Sequence, residues 1–241
     1  WWRRHSCDDH SVKMVFIPGF SQTASSWAPL LDRVCRPDDD ALALDVPVCD
    51  SFVDTAASLA HGSATYVGYS QGGRLALQLA LDRPDLAQRL VLVSASPGIA
   101  DAAARSARRD DDARLGQAIA REGVDAFLER WLAQPMFATL PRERAGLDDR
   151  RAANSVDTLT QQLRVLGQGS QPSNWERLDE LAMPVLLIVG ALDLKYVEIA
   201  HRMADVIRDV HVEVIADAGH ACHLEQPDQF AHLLVSWLDG S

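Results

Sequence analysis

A serine flanked by glycines is the strongest chemical signal in this 241-residue chain. Gly68, Ser70 and Gly72 form a G-x-S-x-G pattern between an apolar segment predicted as a strand (64–69) and one predicted as a helix (71–81). A sharp strand-to-helix turn of this kind exposes the serine hydroxyl and requires glycines where side chains would clash. We therefore predict that Ser70 acts as a nucleophile or a base. The alternative is a glycine-rich turn in which the serine has no chemical role.

A serine hydroxyl is not basic by itself and requires a histidine base and an orienting carboxylate. The chain supplies both in the order expected after such a turn, because Asp193 follows one predicted strand and His220 follows the next. Sites on open α/β sheets form at these carboxyl ends of strands. Asp193 could instead cap a helix, and Asp217 is a rival acid that lies too close to His220 along the chain to be preferred. We predict a catalytic triad of Ser70, Asp193 and His220.

Negative charge that develops on an oxygen atom during a reaction needs N–H donors nearby. The backbone N–H of Gln71 directly follows the serine and is one candidate donor. The loop after the first predicted strand supplies the second, because Phe20 has a backbone N–H whereas Pro18 has none. We predict an oxyanion hole formed by the N–H groups of Phe20 and Gln71.

The cysteines and the other histidines carry weaker signals. The four cysteines, at positions 7, 35, 49 and 222, show no metal-ligand spacing, so we predict free thiols in a reducing compartment and no metal site. Cys222 is near His220 but outside a strand-to-helix turn, which favours a packing role over a nucleophilic one. His223 is predicted to pack against, or to cap, the last helix.

Hydrophobic periodicity predicts an alternation of short strands and helices. Predicted strands cover residues 12–17, 41–46, 64–69, 90–93, 184–189 and 212–215, and predicted helices cover residues 25–34, 51–60, 71–81, 196–207 and 228–238. Such an alternation is typical of a parallel sheet with helices on both faces.

This alternation stops between about residues 100 and 178. The segment is rich in Arg, Asp and Ala, and its apolar residues follow a helical spacing without a strand pattern. We predict a helical insertion above the sheet, with most of its charged side chains on a solvated face. The chain then divides into a first core part (1–100), the insertion (101–178) and a second core part (179–241).

Charge and hydropathy exclude several classes of protein. The net charge of −11 gives no general attraction to nucleic acid or to anionic lipid. The longest apolar run, residues 181–192, contains Pro184 and is too short to cross a bilayer. Residues 1–5 contain no apolar signal core. The sequence therefore predicts a cytoplasmic monomer or small homo-oligomer that binds neither nucleic acid nor membrane.

Together these segments resemble the α/β-hydrolase superfamily and, within it, the menaquinone-pathway lyases known as 2-succinyl-6-hydroxy-2,4-cyclohexadiene-1-carboxylate synthases. The resemblance extends from about residue 14 to residue 238. It is carried by Gly68-Tyr69-Ser70-Gln71-Gly72-Gly73-Arg74, Ser94-Ala95-Ser96-Pro97-Gly98, Gln171-Pro172-Ser173-Asn174-Trp175, Gly190-Ala191-Leu192-Asp193-Leu194-Lys195-Tyr196 and Gly219-His220-Ala221-Cys222-His223-Leu224-Glu225. The triad motifs mark the superfamily, whereas Tyr-Ser-x-Gly-Gly-Arg and Gln-Pro-Ser-x-Trp are more specific to the lyases.

The resemblance implies an α/β-hydrolase fold, with a mostly parallel sheet flanked by helices and a helical lid insertion. It also implies a lyase that uses no metal or organic cofactor. Ser70, activated by His220 and Asp193, would remove a ring proton, and pyruvate would leave as the enol-ether oxygen departs. The residues implied by position to surround the substrate are Tyr69, Arg74 and Trp131.

A substrate of this kind carries several carboxylates, so its pocket is expected to contain cations. Arg74 lies four residues, about one helical turn, after Ser70 and is predicted to bind a carboxylate; the alternative is an internal ion pair that holds the helix. Further candidates in the insertion are Arg108 or Arg109 and Arg150 or Arg151, of which the predicted site includes Arg108 and Arg151.

Two other functions stay open at this point. The same triad serves hydrolases of carboxylic esters, or of carbon–carbon bonds in ring-cleavage products, with Ser70 as nucleophile or base. A non-catalytic ligand-binding module that keeps the fold is a third hypothesis. The arginines and the Gln-Pro-Ser-x-Trp segment favour the lyase, whose predicted partner is a small anionic substrate.

Overall fold

The residues that the computed structural model describes, 13–36 and 39–240, contain a central sheet of six parallel strands. The strands are β1 (Lys13–Ile17), β2 (Asp40–Ala43), β3 (Ala64–Tyr69), β4 (Ala87–Val93), β5 (Val185–Gly190) and β6 (Val210–Ile215), in the spatial order β2-β1-β3-β4-β5-β6. Every pair of neighbours in this order is parallel. The predicted parallel sheet is confirmed; Val12, the predicted start of the first strand, lies outside the described residues.

Helices cover both faces of the sheet. They are α1 (Ala28–Val34), α2 (Phe52–Ser58), α3 (Gln71–Asp82), α4 (Ala102–Leu132), α5 (Leu147–Ala153), α6 (Val156–Leu166), α7 (Leu194–Ala204), α8 (Cys222–Glu225) and α9 (Pro227–Gly240). Val15 and Ile17 of β1 pack with α2, α3 and α7 in one apolar core, whereas Met14 and Phe16 pack with α1 and α9 in another. Since adjacent strand residues point to opposite faces, these two cores cover the two sides of the sheet.

The chain between β4 and β5 contains helices and no strand, as predicted. In this segment α4 is interrupted at Gly123, whose φ of +82° and ψ of 171° are not helical. An apolar cluster joins α4 to α6 through Ile119, Phe127, Leu128, Leu159 and Leu163. Phe20, which follows β1, packs edge-on against Phe127 with ring centroids 6.1 Å apart. The insertion therefore contacts the loop at the carboxyl end of β1.

Two expectations drawn from composition can be compared with the described residues. None of the helices in this part of the chain combines the length and the apolar character that crossing a membrane requires. Cys35, Cys49 and Cys222 are free thiols, as predicted. Cys7 lies outside the described residues.

Candidate active site

Ser70 occupies a sharp turn between β3 and α3. Its φ of +50° and ψ of −106° are strained for a residue with a side chain. The flanking glycines allow a close approach of the backbone, because a Cβ on Gly68 would lie 2.5 Å from the carbonyl oxygen of Gly72, and a Cβ on Gly72 would lie 2.3 Å from that of Ile17. The strand-to-helix turn that the sequence predicts is therefore present, and it places Ser70 at the carboxyl edge of the sheet.

The side chains of the predicted triad form one hydrogen-bonded chain. The Ser70 hydroxyl donates to His220 Nε2 at 3.0 Å, and His220 Nδ1 donates to Asp193 Oδ2 at 2.6 Å. His220 is only 1% exposed, and its backbone N–H donates to the carbonyl of Met136 at 3.2 Å. This arrangement allows His220 to take the serine proton while Asp193 fixes the tautomer of the imidazole and stabilises its charged form.

The sequence left open a capping role for Asp193 and two rival groups, Asp217 and Cys222. Asp193 precedes α7, but its carboxylate makes no capping hydrogen bond to that helix. Asp217 is exposed, with a φ of +55°. Burial raises the pKa of Cys222 to about 12, so it stays a protonated thiol at neutral pH. Its predicted packing role agrees with its complete burial.

His223 lies in a buried aromatic cluster. Its ring centroid is 4.3 Å from that of Tyr69 and 4.8 Å from that of Trp27. Neither of its ring nitrogens has a hydrogen-bond partner among the described residues. Burial lowers its pKa to about 3, so the ring is neutral at physiological pH. The predicted packing role of His223 is confirmed.

A cavity of about 440 Å³ opens beside the triad. Its lining includes the triad and the predicted residues Phe20, Tyr69, Gln71, Arg74, Arg108 and Trp131. Trp131 and Phe137 belong to the insertion, so the insertion forms part of the cavity wall. In the described part of the chain, no group of three or more His, Cys, Asp or Glu side chains is arranged to hold a metal ion. The structure thus brings together the predicted site residues with the exception of Arg151.

Arg74 is a buried cation whose hydrogen-bond partners are neutral. Its guanidinium donates to the carbonyl of Leu166 at 2.9 Å and to Gln171 Oε1 at 3.3 Å. Within the described residues it forms no ion pair with a carboxylate, so the ion-pair alternative is not observed. Burial lowers the pKa of Arg74 to about 10, which leaves it charged at neutral pH.

The Gln-Pro-Ser-x-Trp segment supports Arg74 from outside the cavity. Gln171 accepts a hydrogen bond from Arg74 and donates through Nε2 to the carbonyl of Ser96 at 3.1 Å. Trp175 Nε1 donates to the carbonyl of Gly98 at 2.9 Å. The two motifs that resemble the lyases therefore join α3 to the loop after β4, and their contacts fix the position of the arginine.

Adjacent arginines of α5 have different surroundings. Arg150 lines the cavity, is 5% exposed, and donates to Ser21 Oγ at 2.6 Å and to the carbonyl of Phe20 at 3.1 Å. Burial lowers its pKa to about 10. Arg151 forms ion pairs with Asp125, Glu129 and Asp148. The structure therefore corrects the predicted site: Arg150 is the member of this pair at the cavity, and acidic neighbours hold Arg151 away from it.

The other pair of arginines lies on α4. Arg108 lines the cavity, where it forms an ion pair with the buried Asp112 at 2.8 Å and donates to Gln168 Oε1 at 2.8 Å. Arg109 instead donates to the carbonyl of Gly169 at 3.0 Å and does not line the cavity. Because Asp112 neutralises Arg108, we expect Arg108 to attract an anionic ligand less strongly than Arg74 or Arg150 does.

The cavity lining also includes Gln168, Lys195 and Tyr196, to which sequence reasoning assigned no role. The Tyr196 hydroxyl accepts from Gln168 Nε2 at 3.0 Å, and its ring centroid lies 4.6 Å from that of His220. Partial burial and the nearby Arg108 lower the pKa of Lys195. Lys195 and Tyr196 lie two and three residues after the triad acid, and this position is a signal that could have identified them. Gln168 gives no such signal, since its placement depends on the turn after α6.

Known proteins are similar to this chain over most of its length. A model described as an alpha/beta hydrolase family matches residues 14–233. A Bacillus subtilis (strain 168) protein is 35% identical over 250 residues, which covers 95% of this chain and 90% of that protein, and its provisional name is 2-succinyl-6-hydroxy-2,4-cyclohexadiene-1-carboxylate synthase. The synthase of that name from Serratia proteamaculans (strain 568) is 31% identical over 244 residues, covering 93% of this chain and 92% of its own.

Solved structures show the same fold. MenH from S. aureus superposes with a TM-score of 0.88 at 26% identity, over 99% of this chain and 97% of that chain. A thermophilic esterase from Thermogutta terrifontis superposes with a TM-score of 0.78 at 19% identity, over 95% of this chain and 90% of that chain. Because one fold serves different reactions, the residues that line the cavity must distinguish between these reactions.

Proposed function

Because this chain belongs to the alpha/beta hydrolase family and, within it, to the 2-succinyl-6-hydroxy-2,4-cyclohexadiene-1-carboxylate synthases, we propose that it is a lyase of menaquinone biosynthesis. Its substrate is 2-succinyl-5-enolpyruvyl-6-hydroxy-3-cyclohexene-1-carboxylate, from which it eliminates pyruvate. The reaction breaks a carbon–oxygen bond without a redox step, and the triad of Ser70, His220 and Asp193 supplies the base that it requires.

The observation that carries this proposal is the presence of two buried guanidiniums with neutral partners beside the triad. Arg74 and Arg150 line the same cavity as Ser70, and burial lowers the pKa of each. A buried cation is costly unless an anion pairs with it. The proposed substrate carries carboxylates on the ring, on the succinyl chain and on the enolpyruvyl group. An uncharged ester would leave both guanidiniums without an anionic partner.

The geometry supports a base-catalysed elimination. His220 accepts the proton of the Ser70 hydroxyl across their 3.0 Å hydrogen bond, and Asp193 stabilises the imidazolium. The Ser70 oxygen then removes a ring proton, and the electrons of that C–H bond form a ring double bond as the enol-ether C–O bond breaks. The proton held by His220 passes to the departing enolate, which becomes pyruvate. Ser70 keeps the ring proton and regains its hydroxyl.

The N–H groups of Phe20 and Gln71 are proposed to stabilise negative charge in this reaction. Gln71 is the first residue of α3, where an α-helix leaves N–H groups without an intrahelical acceptor. The Gly19 carbonyl accepts from the Gln22 N–H at 3.1 Å. Since a trans peptide is planar, the Phe20 N–H points away from that contact. Both residues line the cavity, which supports the assignment.

The wider arrangement of the molecule also stays at the level of proposal. Residues 101–178 would act as a lid, because Trp131 and Phe137 of this segment line the cavity beside the triad. The cytoplasmic location and the monomeric or small homo-oligomeric state stay predictions from the sequence. Cell fractionation and light scattering would measure them.

A coupled assay tests the proposed reaction. The substrate is supplied by the enzyme that catalyses the preceding reaction, and pyruvate release is followed with lactate dehydrogenase. We expect turnover by the wild-type protein and a fall in kcat of about 1,000-fold or more in Ser70→Ala, as for other triad deletions. Ser236→Ala, at an exposed position of α9, is the matched control. Failure of the wild-type protein to release pyruvate would contradict the proposal.

A serine hydrolase is the alternative, because the same hydrogen-bonded triad would activate Ser70 as a nucleophile. Incubation with short p-nitrophenyl esters distinguishes the two. Fast ester turnover with an acyl group on Ser70, detected by mass spectrometry, would support the hydrolase. We expect slow ester turnover, since these esters offer no carboxylate to Arg74 and Arg150.

A further inference from the structure

A buried carboxylate holds the loop that carries His220. Glu225 is 5% exposed; its Oε2 accepts from the backbone N–H of Gly219 at 2.7 Å, and its Oε1 accepts from that of Ala221 at 3.0 Å. These two N–H groups flank His220 on both sides. Hydrogen bonds to an ionised acceptor are stronger than those between neutral groups, so this pair fixes the direction of the His220 backbone.

The same carboxylate also contacts the insertion. The Thr139 hydroxyl donates to Glu225 Oε2, while Met136 of the same segment accepts the backbone N–H of His220. The segment that contains Met136 and Thr139 lies close to the backbone of Gly219. A Cβ on Gly219 would lie 2.9 Å from Thr139 Oγ1 and 3.1 Å from the Met136 carbonyl oxygen. The segment 136–139 and the loop with His220 therefore share one polar junction, centred on Glu225.

We propose that Glu225 is the positioning residue that sets His220 against Ser70 and couples this alignment to the segment 136–139. The proposal rests on the triad acting as proposed above. Glu225 does not line the cavity and so acts through His220 rather than on the substrate. The nearby Arg144 donates to the backbone carbonyls of Leu224 and Glu225 and not to the carboxylate. Among the described residues, this carboxylate therefore accepts hydrogen bonds from two backbone N–H groups and one hydroxyl.

Glu225→Gln tests the proposal with little change in shape. An amide has one oxygen, so its NH₂ group must face one of the backbone N–H groups beside His220, and that hydrogen bond is lost. We expect kcat for pyruvate release to fall by about tenfold or more, because one buried hydrogen bond is replaced by two facing donors. KM should change by less than about threefold, since the cations proposed to bind the substrate, Arg74 and Arg150, make no hydrogen bond to the Glu225 side chain. Glu198→Gln, exposed on α7, is the matched control.

A readout that does not depend on the substrate accompanies the kinetics. The His220 Nδ1 proton lies in a 2.6 Å hydrogen bond to Asp193, and such a proton gives a low-field NMR signal. We expect this signal to shift or broaden in Glu225→Gln, whereas it should be unchanged in Glu198→Gln. If the wild-type protein releases no pyruvate, the proposed function fails, and the NMR comparison still decides whether Glu225 positions His220.

Variants of Thr139 test the contact between Glu225 and the insertion without a substitution in the loop that carries His220. Thr139→Val removes the hydroxyl that donates to Glu225, and Thr139→Ser keeps it. We expect a lower kcat and a shifted His220 signal in the valine variant, and values near those of the wild-type protein in the serine variant. Unchanged kcat and NMR signal in Glu225→Gln would overturn the positioning role. Equal behaviour of the valine and serine variants would overturn the coupling to the insertion.

Discussion

Burial and partner type separate the arginines of the cavity into two kinds. Arg74 and Arg150 donate to carbonyl, amide and hydroxyl oxygens, so their charges are not neutralised by the described residues. Arg108 has Asp112 as a partner, and Arg151 lies in exposed ion pairs, which contribute little to stability. The first two are therefore the residues through which charge should control binding.

The first prediction concerns Arg74. Arg74→Gln removes a buried cation while retaining hydrogen-bonding groups, and we expect kcat/KM for pyruvate release to fall by about 100-fold, the loss typical of a charged hydrogen-bonded partner. Arg109→Gln is the control, because Arg109 does not line the cavity. Steady-state kinetics of the two variants make the comparison. A similar kcat/KM in both would show that Arg74 does not bind the substrate.

The second prediction uses the adjacent arginines of α5. Arg150→Gln should lower kcat/KM by about 100-fold. It should also lower kcat, because Arg150 donates to the carbonyl of Phe20, which belongs to the loop of the proposed oxyanion hole. Arg151→Gln should leave both parameters within about twofold of the wild-type values, since its ion pairs are exposed. A larger effect from Arg151→Gln than from Arg150→Gln would reverse the assignment made from the structure.

At the scale of elements, the approach of α3 to β1 determines whether the turn at Ser70 can form. A third prediction is that Gly72→Ala destabilises the protein by about 3 kcal/mol, because its Cβ would lie 2.3 Å from a backbone oxygen that has little room to move. Urea unfolding followed by circular dichroism measures the change. Activity should fall with the displacement of Ser70.

A glycine inside α4 provides the control for this prediction. A Cβ on Gly116 would have Thr160 Cγ2 as its nearest neighbour, at 3.6 Å, an ordinary contact distance. Gly116→Ala should therefore stabilise the protein by up to about 1 kcal/mol, since alanine favours a helix over glycine. If both substitutions changed the unfolding free energy equally, steric contact at the turn would not explain the need for Gly72.

The order of the elements could be predicted from the sequence, whereas some of their ends could not. Apolar runs locate the strands because both faces of the sheet are buried. However, β4 begins at Ala87, three residues before its predicted start, and includes the polar Gln88 and Arg89. Arg89 pairs with Thr65 of β3 through the backbone. Backbone pairing does not require an apolar side chain, so hydropathy does not detect these residues.

The triad could be predicted from the sequence, whereas the arginines that line the cavity could be predicted only in part. Ser70, Asp193 and His220 could be found because the fold fixes their order along the chain and their place at strand ends. Arg150 and Arg151 could not be separated, because neighbours on a helix point about 100° apart and the rotation of α5 about its own axis is set by distant contacts. Sequence patterns therefore identify the proposed reacting groups better than the cations proposed to bind the substrate.

For the molecule as a whole, the net charge of −11 contrasts with the charges in the cavity. Arg74, Arg150 and Lys195 line the cavity, and the carboxylates there are engaged: Asp193 with His220, Asp112 with Arg108, and Asp111 with Arg114. The overall charge governs long-range attraction, whereas buried charges act at short distance in a low dielectric. An acidic protein can therefore bind an anionic substrate once the substrate enters the cavity.

The pH dependence of global stability should reflect the burial of His223. Burial lowers its pKa from 6.5 to about 3 in the folded protein. Above pH 6.5 the ring is neutral in both folded and unfolded states and contributes no pH dependence. Between pH 6.5 and 3 the unfolded state binds a proton that the folded state does not. The free energy of unfolding should therefore fall with decreasing pH in this window, by up to about 1.4 kcal/mol per pH unit.

His223→Phe tests this fourth prediction, because it keeps an aromatic ring beside Trp27 and Tyr69 and removes the group that titrates. No hydrogen bond is lost, since neither ring nitrogen of His223 has a partner among the described residues. Urea unfolding at pH 7, 6, 5 and 4 should show a weaker loss of stability on acidification than in the wild-type protein. His201→Gln, at an exposed position of α7, should retain the wild-type slope. Equal slopes for the His223→Phe and wild-type proteins would mean that acid sensitivity arises elsewhere, even if tighter packing of the larger ring shifted the stability at pH 7.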